Sequence, residues 1–210
     1  VDLDRGRITQ NGVDLRFSPG TPAEIQRFRQ ERALPARYWF FLGTLEPRKN
    51  LLVLLEAFAR WRAAASFAES PPHLVLAGGK GWYYETIFTQ VAALGLTEFV
   101  HFPGYVPDAE LPEWYRAAEL FLYPSRYEGF GLPVVEAMAC GTPVICSNAP
   151  GVREVAGDAA TQLAPDDVDG WVAAMALAAT QPAYLAKLRS AGIERAKQFT
   201  WETAAAVTIE

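Results

Sequence analysis

The chain has 210 residues, half of them apolar and a fifth charged, which suits one ordinary domain with a sizeable core. A formal net charge of −5, with the basic residues scattered, excludes a surface built to hold a phosphate backbone, so nucleic acid is not an expected partner. No apolar run approaches the roughly 18 residues of a membrane span and no signal-peptide pattern opens the chain, so a soluble, cytoplasmic protein is the expectation.

Residues 1–20 are mixed and polar, with turn signals at Asn11-Gly12 and Pro19-Gly20 around the short segments Arg7-Thr9 and Val13-Phe17. They read as a linker entering the domain. Thr21 then caps a short helix, with Pro22 at its first position and Glu24 as the capping-box partner. The apolar run from Arg37 to Gly43 predicts a central strand. After it comes Gly43-Thr44-Leu45-Glu46-Pro47-Arg48-Lys49-Asn50, and then a helix whose Leu51, Leu54, Leu55, Phe58 and Trp61 recur at helical spacing. Arg48 and Lys49 at that helix entrance oppose the local dipole unless an anion compensates. The alternative is a pair of solvated surface charges.

His73–Ala77 predicts a second strand ending in Gly78-Gly79-Lys80-Gly81, where glycines allow close approach of backbone or ligand. Trp82-Tyr83-Tyr84 opens a helix to about Gly95, and its rings either line a cleft or, as we favour, pack. Residues 99–102 predict a third strand, in which His101 reads as structural; Pro103-Gly104-Tyr105-Val106-Pro107 follows. Asp108 is expected to cap the next helix, which carries Leu111, Trp114 and Tyr115. Leu120–Tyr123 predicts a fourth strand, followed by Tyr127-Glu128-Gly129-Phe130-Gly131-Leu132-Pro133 and a helix carrying Glu136. Residues 143–146 predict a fifth strand, and 161–163 a weak sixth. Helices are expected over 167–179 and 182–197. The acidic run Asp166-Asp167-Val168-Asp169 is better explained by a helix N-terminus than by metal binding, and no metal is expected. Cys140 and Cys146 are too few and wrongly spaced for a zinc site or redox pair and read as core residues.

Six strands alternating with helices predict an α/β fold, a doubly wound Rossmann-like parallel sheet with helices on both faces and right-handed crossovers. In the order 3-2-1-4-5-6 the first and fourth strands adjoin, so Arg48-Lys49 and the stretch from Glu128 to Glu136 would meet at the switch point. The first strand lacks the G-x-G-x-x-G of a nicotinamide site, and no P-loop occurs. The crevice would offer two cations, free amides at 129–132 and two carboxylates. Cations and amides suit a diphosphate, and an ionised carboxylate suits a vicinal diol, which together describe a nucleotide-sugar and no separate cofactor.

On six motifs in order the chain resembles the C-terminal, donor-binding domain of retaining two-Rossmann-domain (GT-B) glycosyltransferases, in the family marked by two glutamates separated by seven residues. Those motifs are Gly43 to Asn50, Gly78-Gly79, Phe102 to Val106, Pro124 to Pro133, the Glu128/Glu136 spacing and Ala137-Met138-Ala139-Cys140-Gly141-Thr142-Pro143-Val144. The resemblance implies that Arg48 and Lys49 bind the donor diphosphate and stabilise it as leaving group. It implies that Glu128 contacts donor-sugar hydroxyls and Glu136 the ribose diol. Gly129, Phe130, Gly131 and Leu132 would hold sugar and phosphate through their amides, with Gly43 and Gly78 lining the donor site and Gly104, Tyr105 and Val106 beside the base. It further implies that residues 1–20 are an interdomain linker remnant, 21–200 the donor domain and 201–210 a truncated C-terminal helix. Val1 in place of Met fits an excised piece. An N-terminal domain outside this chain would bring the glycan or lipid-linked acceptor and any peripheral contact with the inner membrane face, leaving this chain to bind donor with little or no transfer. GDP-mannose is the first expected donor and a UDP-sugar the second, in bacterial surface-polysaccharide synthesis. The competing readings are an epimerase or phosphorylase of the same architecture, and a non-catalytic nucleotide-sugar-binding module.

Overall fold

The computed structural model describes residues 10–64 and 70–209; the expected segment 7–9 and Glu210 lie outside them. Six strands form one parallel sheet: β1 Tyr38–Leu42, β2 His73–Ala77, β3 Val100–Gly104, β4 Leu120–Tyr123, β5 Val144–Ser147 and β6 Thr161–Leu163. Their order, β3-β2-β1-β4-β5-β6, is the expected one. β1 pairs with β4 through Trp39↔Leu120 and Phe40↔Phe121, which sets the switch point.

The helices are α1 Pro22–Glu31, α2 Leu51–Ala64, α3 Glu85–Ala93, α4 Leu111–Ala117, α5 Leu132–Ala139, α6 Pro150–Ala156, α7 Val168–Thr180, α8 Pro182–Ala196 and α9 Trp201–Ile209. They cover both faces of the sheet, which is why β1 is apolar at every position instead of alternating. Trp39 meets Phe58 and Trp61 of α2, while its neighbour Phe40, pointing the opposite way, meets Trp114 and Tyr115 of α4. Cys140 and Cys146 are buried free thiols, both pushed up to about 12 by burial. Among the described residues no helix is long and apolar enough to cross a membrane.

Caps follow local chemistry in part. Thr21 and Glu24 form the expected capping box of α1. Asp167 caps α7 through the Gly170 amide, while Asp166 pairs with Arg126 and Asp169 with Arg60, so the acidic run is spent on a helix start and two ion pairs. Asp108 does not cap α4: it opens a 3₁₀ turn, Asp108–Glu110, and α4 begins beyond it without a side-chain cap. The aromatics Trp82 and Tyr83 are not packed as expected but 60% and 66% exposed. Tyr83 takes a left-handed φ of 56°, and α3 begins only at Glu85. The segment 10–20 lies against the body. Phe17 is buried on Tyr115, Val13 donates to the Phe199 carbonyl, and Arg116 of α4 holds the Arg16 and Ser18 carbonyls.

His101 is structural, as expected, but with a partner the sequence does not reveal. On adjacent strands His73 Nδ1 and His101 Nε2 lie 2.7 Å apart with the rings stacked. Burial lowers both pKa values; His101 and Arg62 add to the effect on His73, and Glu98 opposes it on His101. The folded state therefore binds protons less readily than the unfolded chain, so the pair's contribution is complete above the ordinary histidine value of about 6.5 and is lost as pH falls below it. Thermal melts should show a level midpoint from about pH 8 to 6.5 and a decline toward pH 5. His101→Phe should flatten that decline.

Candidate functional site

β1 runs through Gly43 into a 3₁₀ turn, Pro47–Lys49, and Asn50 in a left-handed conformation (φ 56°) then redirects the chain into α2. The Asn50 side chain fixes this corner by donating to the Pro165 carbonyl at 2.7 Å. Arg48 and Lys49 thus sit in the turn that leads into α2, at the helix entrance as expected. β4 leads through Pro124 to Gly131, which begins α5 with a φ of 103° that suits glycine alone. Backbone joins the two loops: the Arg126 amide donates to the Arg48 carbonyl at 3.0 Å, and Arg48 Nη1 donates to the Tyr127 carbonyl at 2.9 Å.

Between the loops lies a closed set of charges. Lys49 Nζ donates to Glu128 Oε1 at 2.6 Å and to the Tyr123 hydroxyl at 3.0 Å, and sits over the Tyr123 ring at 5.1 Å. Arg48 Nη1 donates to Glu128 Oε2 at 2.8 Å, while its Nε and Nη2 both donate to Glu46 Oε1, at 3.0 and 2.7 Å. The other Glu46 oxygen accepts the Trp82 indole N–H at 3.1 Å. The anion that the basic pair demands is therefore supplied internally, by Glu128 and Glu46. The side chains of Lys49 and Glu128 are only 8% and 11% exposed. Burial works to raise the Glu128 carboxyl, but the hydrogen bond and charge of Lys49 outweigh it and hold it below the ordinary value. Burial likewise works to lower Arg48, and its bonds to Glu128 and Glu46 raise it instead.

The expected glycines have geometric reasons. A Cβ on Gly78 would lie 2.0 Å from the Gly43 carbonyl oxygen, and one on Gly43 would crowd the Lys49 tail at 3.2 Å. These two strand ends touch, and the missing side chain of Gly43 leaves room for the Lys49 tail. Among the described residues, the N–H groups of Gly129, Phe130, Gly131 and Leu132 find no internal acceptor, which leaves donors at the start of α5. The Phe130 ring does not face the crevice; it packs on Phe199. Leu132 and Tyr105 are exposed, Val106 is buried, and Gly104 (φ 82°) gives its carbonyl to the Gly78 amide at 2.8 Å. Glu136 does not join the basic pair: its Oε2 accepts the Tyr115 hydroxyl at 2.8 Å. Among the described residues no group of three or more His, Cys, Asp or Glu side chains is placed to hold a metal ion.

Sequence reasoning left Glu46, Trp82, Tyr115, Tyr123 and Gly151 without roles. Glu46 carries a weak signal, as the one acid within a basic turn. Tyr115 and Tyr123 sit in apolar patterns and look like any core aromatic. Gly151 of α6, whose Cβ would lie 2.5 Å from the Glu128 carbonyl oxygen, is found only by tertiary packing.

Glu128→Gln removes the charge facing a buried lysine and should destabilise the chain by about 3 kcal/mol in denaturant unfolding. The wild type should lose Glu128's contribution as pH falls below about 4.5, because its folded pKa lies under the unfolded one; the variant should lack that step. Gly78→Ala drives a side chain into backbone and should cost about 3 kcal/mol or more by the same measurement.

Residues 23–199 match the family model described as Glycosyl transferases group 1. The chain is 39% identical over 209 residues to O-antigen chain mannosyltransferase B of Escherichia coli, covering 98% of this chain and 54% of that protein. It spans about half the length of the curated relatives it matches. Among solved structures it resembles sucrose-phosphate synthase from Thermosynechococcus elongatus, with a TM-score of 0.82 and 28% identity, covering 95% of this chain and 50% of that one. It shares a fold with Anabaena HepE, solved with UDP-glucose, at a TM-score of 0.84 and 22% identity over 97% of this chain and 56% of that one. The doubly wound sheet is thus the Rossmann-like unit of GT-B proteins, and the chain belongs to the group 1 glycosyl transferases.

Proposed function

We propose that this chain is the donor-binding domain of a retaining hexosyltransferase of bacterial surface-polysaccharide synthesis, with GDP-mannose as first donor and a UDP-sugar as second. The observation that carries the reading is the meeting of Arg48, Lys49 and Glu128 beside the unshared amides at 129–132. The 39% identical relative, named a mannosyltransferase, supports mannose; the UDP-glucose held by HepE supports the second choice.

When the bond between the anomeric carbon and the phosphate oxygen breaks, negative charge gathers on the departing diphosphate. Lys49, Arg48 and the amides at the start of α5 stabilise that charge more than they stabilise the ground state, which lowers the barrier. Glu128 contacts the donor-sugar hydroxyls. Both its oxygens are held by cations and its pKa is low, which suits a positioning carboxylate and argues against a protein nucleophile. Glu136 reads the ribose diol, Gly43 and Gly78 line the diphosphate site, and Gly104, Tyr105 and Val106 flank the base. The acceptor, a glycan or lipid-linked sugar, is brought by a second domain, which also makes any membrane contact. The chain alone therefore binds donor with little or no transfer.

Calorimetry with GDP and UDP tests this reading. At least one should bind, GDP the tighter, and Lys49→Ala should weaken binding about tenfold or more through loss of a charge-assisted contact. Binding of neither nucleotide overturns the proposal.

A further inference from the structure

Tyr115 of α4 stands directly behind the second glutamate. Its hydroxyl donates to Glu136 Oε2 at 2.8 Å, and among the described residues no other hydrogen bond or ion pair reaches that carboxylate. The contrast with Glu128, whose two oxygens are both held by cations, is complete. An ionised carboxylate offers about four lone-pair sites, and Tyr115 takes one.

The phenol is itself immobilised. Tyr115 is fully buried, and its ring meets Phe17, Phe40 and Phe121 edge-on at 6.0, 5.5 and 5.3 Å. Its carbonyl accepts the Thr142 hydroxyl at 2.7 Å. A donor held this firmly sets the rotamer of the carboxylate it bonds. Burial also works to raise the Glu136 carboxyl, and Asp108 adds to this. The Tyr115 hydrogen bond and the Arg16 charge oppose it, though the net shift remains upward. Without the phenol the ionised form, the one able to accept two hydrogen bonds, would be harder to keep.

We propose that Tyr115 is a positioning residue for ribose recognition, fixing Glu136 so that its unshared lone pairs face the 2′,3′-diol of a bound nucleoside diphosphate. The inference rests on the reading of Glu136 as the ribose-binding carboxylate. It adds a residue that touches no ligand and acts through one that does.

The test compares GDP with 2′,3′-dideoxy-GDP, and UDP with its dideoxy counterpart, by calorimetry on this chain. The wild type should prefer the diol-bearing nucleotide by roughly tenfold or more. Tyr115→Phe should lower that preference at least about threefold while leaving affinity for the dideoxy ligand unchanged. A wild-type preference near one overturns the ribose reading of Glu136 and this inference with it. A wild-type preference that survives in the variant overturns the role of Tyr115 alone, as does an equal weakening of both ligands. Should Tyr115→Phe fail to fold, 3-fluorotyrosine placed at 115 keeps ring and hydroxyl and makes a stronger donor. The diol preference exists above the Glu136 pKa and is lost as pH falls through it, so a stronger donor should move that midpoint to lower pH. Arg16, Asp108, Cys140 and Tyr123, the other titratable groups around the pair, are the same in both proteins. An unmoved midpoint overturns the proposal.

Discussion

The Glu128 carboxylate, gripped on one oxygen by Lys49 and on the other by Arg48, is the constraint on which the site depends. A buried ion pair is poor value as a source of stability, since desolvation consumes most of the Coulombic gain, but it is demanding about geometry. Here it selects one arrangement of two loops that follow strands far apart in sequence and adjacent in the sheet. Glu46 brings the local count to two cations and two carboxylates, so the resting site is neutral. The two cations are thus held in place by the protein's own acids.

Beneath the charges lies an aromatic layer that holds their polar tips. Tyr123 stacks on Phe41 and Phe121, and Tyr115 edges onto Phe121 and Phe40, so one continuous set of rings supports the phenols behind Lys49 and Glu136. The two glutamates are therefore supported through the hydrophobic core. This is preorganisation by packing: the rotamers of the polar groups are set before a ligand arrives.

The fold was legible because its signals are local and repeated. Apolar runs such as 38–42 and 120–123 can only be strands buried on both faces, and the alternation with helices leaves few topologies. That Arg48, Lys49 and Glu128 meet was legible through strand order. What escaped depends on contacts that no sequence period encodes. The outward turn of Trp82 and Tyr83 follows from a left-handed residue where helix was expected, and the indole bond to Glu46 crosses from another loop. The pairing of His73 with His101 needs the register of two strands, and the phenol behind Glu136 needs α4 and α5 packed together.

The contact between Gly43 and Gly78 bears on how such a crevice can diversify. Where the ends of β1 and β2 meet, the wall is bare main chain, because neither position admits a side chain without displacing a carbonyl or the lysine. Main chain offers the same amides and carbonyls whatever the sequence, so this part of the surface cannot be retuned by substitution. Chemical variety is confined to the rim, where Thr44, Trp82, Tyr105 and Leu132 stand exposed. A fixed main-chain interior and an interchangeable rim would let one architecture keep its crevice while altering what that crevice admits.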